Sequence, residues 1–260
     1  MTLDATSRSM NGDGGSLSEA EESEDRCPVC DGQGWVARRV PLGHPDFGEL
    51  FPCRCREQVA DHERMQRLQR YSGLTKGMLD SMTFETFKVR RHDIDFEGQV
   101  SLEKAYDAAT NFATHPKDWL HIAGEHGSGK THLAVAVVER CIRKGYPALF
   151  TFVPDLLDHL RAAFSPNSPV QYDRLFEQVK STPLLILDDL GAETSTPWAK
   201  EKLYQLVVHR HNARQPTMIT TYLTMDEIKA NHARLASRLR DTRLVNWVPI
   251  KAPDYRDHGI

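Results

Sequence analysis

Gly124-Glu125-His126-Gly127-Ser128-Gly129-Lys130-Thr131 satisfies G-x-x-x-x-G-K-[ST] at every fixed position, and few eight-residue stretches restrict a fold as tightly. The motif has meaning only where a strand turns into a helix. Upstream, Trp119-Leu120-His121-Ile122-Ala123 is a short apolar run suited to a buried strand, and residues 132–144 are rich in Ala, Val and Leu at helical length. Glycines at 124, 127 and 129 let the backbone turn its N–H groups inward around a polyphosphate, at the positive end of the following helix. Lys130 adds a cation for the β- and γ-phosphates, and the Thr131 hydroxyl is placed to hold Mg²⁺, which prefers hard oxygen ligands. Glu125, His126 and Ser128 complete the loop and His132 follows it, so 124–132 are the candidate nucleotide-binding positions.

A second chemical element is Leu184-Leu185-Ile186-Leu187-Asp188-Asp189. Four aliphatic residues describe a strand buried on both faces, and the acids fall at its C-terminal end, where open α/β sheets place ligand chemistry. Asp188 is the expected Mg²⁺-side carboxylate and Asp189 the residue expected to polarise an attacking water. Further strands are expected over 148–153, 216–221 and 244–250, alternating with helices over 102–113, 154–160, 170–180, 198–211 and 225–240. Alternation of this kind predicts a mainly parallel sheet in a three-layer α/β domain. The paired phenylalanines ahead of it, Phe84 and Phe87, read either as packing against an adenine face or as core anchors, the core role fitting Phe87 better. Cys141 falls on the apolar face of its helix and reads as a core cysteine.

Four of the five cysteines lie within 29 residues: Cys27 and Cys30 form a C-x₂-C knuckle, and Cys53 and Cys55 follow after 22 intervening residues. Two close pairs in a reducing compartment point to tetrahedral zinc, although C-x-C is one residue short of the usual knuckle and leaves His44 as an alternative ligand. Residues 26–71 are too few for a self-sufficient core, so metal would dominate this module's folding. Residues 1–25 hold seven acids against Arg8 alone, a balance of −6 in a chain of net charge −3, so the remainder carries +3. That segment reads as a disordered tail, and 72–260 as the main domain. No run approaches a membrane span and the N-terminus has no basic-then-apolar signal, so a cytoplasmic protein is expected.

Ser72-Gly73-Leu74, the run 83–87, residues 124–133 and 184–193, and Arg234-Leu235-Ala236-Ser237-Arg238-Leu239 together resemble the DnaC/DnaI/IstB branch of AAA+ ATPases, bacterial helicase loaders and transposition helpers. The resemblance covers 72–255. It implies a P-loop three-layer sandwich with a parallel five-stranded sheet in the order 5-1-4-3-2, ATP and Mg²⁺ as ligands, and ATP-dependent homo-oligomers in rings or spirals. It also implies an arginine finger supplied to the neighbouring subunit, a position that Arg238 matches, with Arg234 second; Lys130, Asp189 and Arg238 would then be the catalytic set. The cysteine module resembles that of the loaders, which implies a hexameric replicative helicase and single-stranded DNA as partners. A transposition helper, and a zinc adaptor that holds ATP as a structural ligand, are the alternatives. Two departures stand out: Tyr222 replaces the family's Asn at the end of the fourth strand, and only ten residues follow Ile250, too few for the helical lid of most AAA+ proteins.

Overall fold

The computed structural model describes residues 27–55, 70–164, 172–193 and 196–257. The acidic segment 1–25, all but the last two residues of the charged stretch 57–71, whose composition is helical, and the Ser/Pro/Asn stretch 165–169, whose composition is that of a loop, lie outside the described residues. The chain divides into two compact units, Met1–Ala60 and Asp61–Ile260.

In the first unit, strands β1 (Trp35–Ala37) and β2 (Leu50–Pro52) pair antiparallel, with Val36 opposite Phe51. The chain reaches β1 through a tight turn in which Asp31, Gly32 and Gly34 all have positive φ, and the Cys53 N–H donates to the Gly34 carbonyl at 2.8 Å. Among the described residues of this unit only Cys30 and Cys53 are buried. A hairpin this short, with no buried aliphatic side chain, has little apolar area with which to offset its ordering entropy.

The second unit opens with helix α1 (Lys76–Ser81) and helix α2 (Phe96–Thr114). A βα series follows: β3 (Trp119–Gly124), α3 (Lys130–Arg143), β4 (Ala148–Phe152), α4 (Val153–Ala162), α5 (Tyr172–Lys180), β5 (Leu184–Leu190) and α6 (Pro197–Asn212). It ends with β6 (Thr217–Thr221), α7 (Met225–Asn231), α8 (Ala233–Leu239), β7 (Val245–Ile250) and a 3₁₀ turn at Tyr255–Asp257. All pairings in this sheet are parallel, in the order β4-β5-β6-β3-β7. Counted within the domain this is the expected 5-1-4-3-2.

Period-two alternation divides the core between the two faces of the sheet. Leu185, Leu187 and Ile219 pack with α4 to α8, whereas Leu184, Ile186 and Met218 pack with α2 and α3. α2 begins two turns earlier than the apolar pattern suggests, because Asp95 caps it by accepting from the Gly98 N–H at 2.7 Å. The stretch 225–240, whose pattern allows one or two helices, forms two that meet at His232. Tyr71 belongs with this unit: its carbonyl accepts from Thr151 Oγ1 at 3.3 Å and its ring meets His159 edge-on.

The sheet's lower edge is tied by one cation. Arg210 of α6 has no exposed surface and donates to the carbonyls of Lys180, Thr182 and Pro216 and to Thr217 Oγ1, at 2.6–2.9 Å. Burial pulls its pKa down to about 9, which still leaves it charged at neutral pH. Arg210→Met removes donors that the buried carbonyls cannot replace, and should lower stability by about 3 kcal/mol in urea unfolding. A loss below about 1 kcal/mol would show that the surrounding backbone does not depend on it.

Candidate active site

The motif loop connects β3 to α3. Gly129 caps the helix with φ 101°, and a Cβ there would lie 2.9 Å from the Phe87 ring; a Cβ on Gly124 would lie 2.7 Å from the Ile250 carbonyl. Glycine is therefore required at both ends of the loop, at 129 for the left-handed turn and at 124 for close approach to β7. Residues His126 to His132 line a cavity of about 460 Å³ together with Met82, Phe87, Leu102, Asp189 and Tyr255. Gly124 and Glu125 shape the loop from outside this cavity, Glu125 through its carbonyl, which accepts from Lys130 Nζ at 2.7 Å.

Asp188 has no exposed surface. Its Oδ2 accepts from Thr131 Oγ1 at 2.9 Å and its Oδ1 from Thr220 Oγ1 at 2.5 Å. Burial raises its pKa above the ordinary carboxylate range, against the pull of the two hydroxyls. Burial likewise lowers the pKa of Lys130, against the pull of Asp189, Asp188 and Asp254.

Between β5 and β6 the register slips after Leu187, and Asp189 takes a left-handed φ of 62°. Its N–H, displaced from the ladder, donates to Thr220 Oγ1 at 3.0 Å, and Asp189 lines the cavity while Asp188 stays beneath it. Two adjacent acids thus occupy different environments, as the separate assignments to metal and water require.

The cradle fits a nucleotide: its glycines admit no side chain, Lys130 brings a cation among three carboxylates, and Ser128 Oγ is buried without a hydrogen-bond partner among the described residues. The adjacent Thr131 hydroxyl and Asp188 carboxylate are hard oxygen donors suited to Mg²⁺. His132 Nε2 lies 2.8 Å from the Thr83 carbonyl, and the His132 pKa is lowered by burial.

Phe87 packs against the core and also walls the cavity, so the core anchor expected there has a second face; Phe84 is the fully buried member of the pair. Tyr222 stacks on His126 with ring centroids 4.8 Å apart and donates to the Gly191 carbonyl at 3.1 Å. The β6 hydroxyl that reaches the Asp188 carboxylate is that of Thr220, two residues before Tyr222. Sequence reasoning missed Thr220, although a fully buried strand with three threonines signals hydroxyls that need partners. It also missed the segment after β7, where the Tyr255 N–H donates to the Gly127 carbonyl at 3.0 Å and a Cβ on Gly127 would overlap the Asp254 carboxylate. Arg256 holds the pKa of Asp254 down to about 2.

Arg238 does not line this cavity. It sits half-buried on α8, while the guanidinium of Arg234 lies 5.5 Å from the Tyr204 ring centroid.

In the first unit the sulfurs of Cys27, Cys30, Cys53 and Cys55 all lie within 4.8 Å of one another, with Cys27 to Cys53 at 3.8 Å and Cys30 to Cys55 at 3.3 Å. A tetrahedral site with Zn–S bonds of about 2.3 Å separates its sulfurs by about 3.8 Å, so the four thiols fit zinc. Backbone N–H groups of Val29 and Cys30 pull the pKa of Cys27 down to about 7, whereas the neighbouring Cys30 sulfur pushes Cys55 up to about 12. His44 stands apart, exposed, with Nδ1 accepting from the Asp46 N–H at 3.1 Å. Cys141 is buried in the second unit, and burial pushes its pKa up to about 11, in keeping with a core role.

A protein-family model described as "IstB-like ATP binding protein" matches residues 54–258. The chain belongs to this IstB-like family. Curated relatives of this family member include the replicative helicase loader DnaC of Escherichia coli strain K12, 27% identical over 195 residues that cover 74% of this chain and 76% of the relative. The replicative helicase loader DnaI of Bacillus subtilis strain 168 is 24% identical over 200 residues, 76% of this chain and 61% of the relative. Among solved structures, a DnaC helicase loader superposes with a TM-score of 0.55 at 23% identity, covering 68% of this chain and all of that one. AMPPCP-bound DnaA from Aquifex aeolicus gives 0.54 at 18% identity, covering 68% of this chain and 52% of that one. Both share the AAA+ fold with this IstB-like chain. Among the described residues no helix is long and apolar enough to cross a membrane.

The four-thiol geometry predicts about one zinc per chain in elemental analysis of the purified protein. Cys53→Ser combined with Cys55→Ser should lose it and His44→Ala should keep it. Full retention by the double variant would overturn this ligand set.

Proposed function

We propose that this chain is an ATP-hydrolysing helicase loader, which engages a hexameric replicative helicase and single-stranded DNA and assembles into homo-oligomers when ATP is bound. The observation that carries the ATPase reading is the buried Asp188 carboxylate in contact with Thr131 below the cradle, with Asp189 aimed into the cavity. The names of the curated relatives and the four-thiol unit favour a loader over a transposition helper. Three of the four cysteines precede the matched span, as a separately acquired partner-binding module would.

The residues divide the work by position. The loop 126–131 holds the phosphates through its inward-facing backbone and Lys130, and Thr131 with Asp188 holds Mg²⁺, which when bound neutralises charge developing on the phosphates. Asp189 orients the attacking water. Phe87, Leu102 and Tyr255 form the apolar wall that receives the base. Arg238, outside its own subunit's cavity, completes the site of the adjacent subunit, a contribution worth roughly 10³ to 10⁵ in rate.

DNA contact is supported by an aromatic ladder with interleaved cations. Phe164, 52% exposed, stacks on Tyr172 at 4.0 Å and meets Trp198 edge-on at 6.0 Å, while Arg161 lies over Trp198 and Lys202 over Tyr172. Ring faces beside cations are what a single strand needs for base stacking and phosphate neutralisation. Phe164, Tyr172 and Trp198 are scattered in the chain, so no sequence motif announces this cluster.

Helicase capture by the full chain should depend on ATP, and single-stranded DNA should raise ATP turnover. Phe164→Ala combined with Trp198→Ala should weaken binding of labelled single-stranded DNA by about tenfold or more while leaving ATP affinity unchanged. No ATP turnover with helicase and DNA present would favour the adaptor; unchanged DNA affinity would remove the ladder from the DNA path.

A further inference from the structure

A buried acid and a buried imidazole join the loop after β5 to the helix that bears the candidate finger. Glu193, four residues beyond Asp189, accepts from the Gly191 N–H through Oε2 at 2.7 Å, and its Oε1 lies 3.3 Å from His232 Nε2. Their side chains are 2% and 5% exposed. The Oε1 contact is off hydrogen-bond geometry, and this oxygen has no other hydrogen-bond partner among the described residues. The pair is close but not locked.

Each partner belongs to a segment with a defined mechanical connection. On the Glu193 side, Gly191 has φ 102° and is wedged against Leu223, so that an added Cβ would overlap that side chain; its carbonyl accepts from Tyr222, whose ring stacks on His126 of the cradle. On the other side, His232 is the hinge residue between two helices. Its N–H closes α7 on Ile228 at 2.7 Å, and its carbonyl opens α8 by accepting from the Ala236 N–H at 2.9 Å. α8 bears Arg234 and Arg238. A shift of the loop that follows the two acids therefore reaches the first turn of the arginine helix through this buried polar contact, alongside the apolar packing that Leu190 and Leu223 share with Ile228 and Leu235.

We propose that Glu193 and His232 form a positioning pair, coupling the phosphate site of one subunit to the arginine it presents to the next. This rests on the trans role of Arg238 proposed above. Burial of a carboxylate beside an imidazole is costly unless the two remain together, so a displacement of one favours the same displacement of the other. Neither residue touches the cradle, and both act through what they hold.

Complementation between subunits tests this in the full chain, read as DNA-stimulated ATP turnover. Glu193→Gln, which keeps the shape and an acceptor for Gly191, should bind an ATP analogue with affinity within about twofold of wild type and lose turnover by about tenfold, a usual size for coupling between sites. His232→Gln should behave alike, and circular dichroism checks that both are folded. Mixed with Lys130→Ala, Glu193→Gln should regain activity, because an intact cradle then meets an intact finger. Mixed with Arg238→Ala it should stay inactive, because no subunit in the mixture presents a positioned finger.

The reverse pattern, rescue by Arg238→Ala and none by Lys130→Ala, would place the damage in the variant's own site and overturn the proposal. Turnover at the wild-type level in both variants would reduce the pair to packing. The control mixture of Arg238→Ala with Lys130→Ala tests the underlying trans finger separately: if it stays inactive while mixed oligomers form, that reading fails and the positioning role fails with it.

Discussion

A carboxylate removed from water, whose hydrogen bonds among the described residues come only from hydroxyls, is the constraint on which the rest of this domain depends. Asp188 is fully buried, and its two hydrogen bonds come from neutral threonines on different elements, Thr131 on α3 and Thr220 on β6. Two hydroxyls do not balance the cost of burying a charge, and the raised pKa of Asp188 expresses the shortfall. Such a group persists where a cation completes it. The sheet order that puts β5 next to β6, the slipped register that displaces the Asp189 N–H, and the Gly129 cap that starts α3 all serve to bring these three side chains together.

Much of this was legible in the chain. The motif at 124–131, the aliphatic run ending in two acids and the alternation of strands with helices carry strong local signals, because each depends on residues adjacent in sequence. The strand order was reached through family resemblance, since periodicity gives elements and not their neighbours. What escaped notice depends on register and on distant contacts. Thr220 becomes a site residue only because the strand slips opposite Asp189. The 3₁₀ turn at Tyr255 looks like a polar tail until it is placed over Gly127. Arg210 reads as one more charge on a helix, and is the most completely enclosed cation in the described structure. The four cysteines were legible as a set, and the exclusion of His44 needed geometry.

The two units reach order by different physics. The second has apolar clusters on both faces of its sheet and needs no ligand to form its core. Among its described residues the first buries only two cysteines beside a pair of three-residue strands, so a metal held by the four thiols would bind and fold it in one event. A chelator would then unfold the four-thiol unit and leave the nucleotide cradle of the second unit in place, so the two can be assayed apart.

The charge state of Asp188 governs both the stability of the empty domain and its response to ligand. An acid whose pKa is raised on folding contributes stability that is fully present below its unfolded pKa and is lost as pH rises through the folded value, so ionised Asp188 destabilises the nucleotide-free domain at neutral pH. Asn at this position keeps an acceptor for Thr220 and carries no charge. Urea unfolding of wild type and Asp188→Asn, from about pH 4 to about pH 8, with and without Mg²⁺ and a non-hydrolysable ATP analogue, measures this. Without ligand the variant should gain on wild type as pH rises from the unfolded carboxylate pKa through the raised folded one and be the more stable above it; with ligand the wild type should gain more and overtake it. A variant less stable than wild type at every pH without ligand, or equal gains from the Mg²⁺-bound analogue in both proteins, would contradict the central role given to this carboxylate.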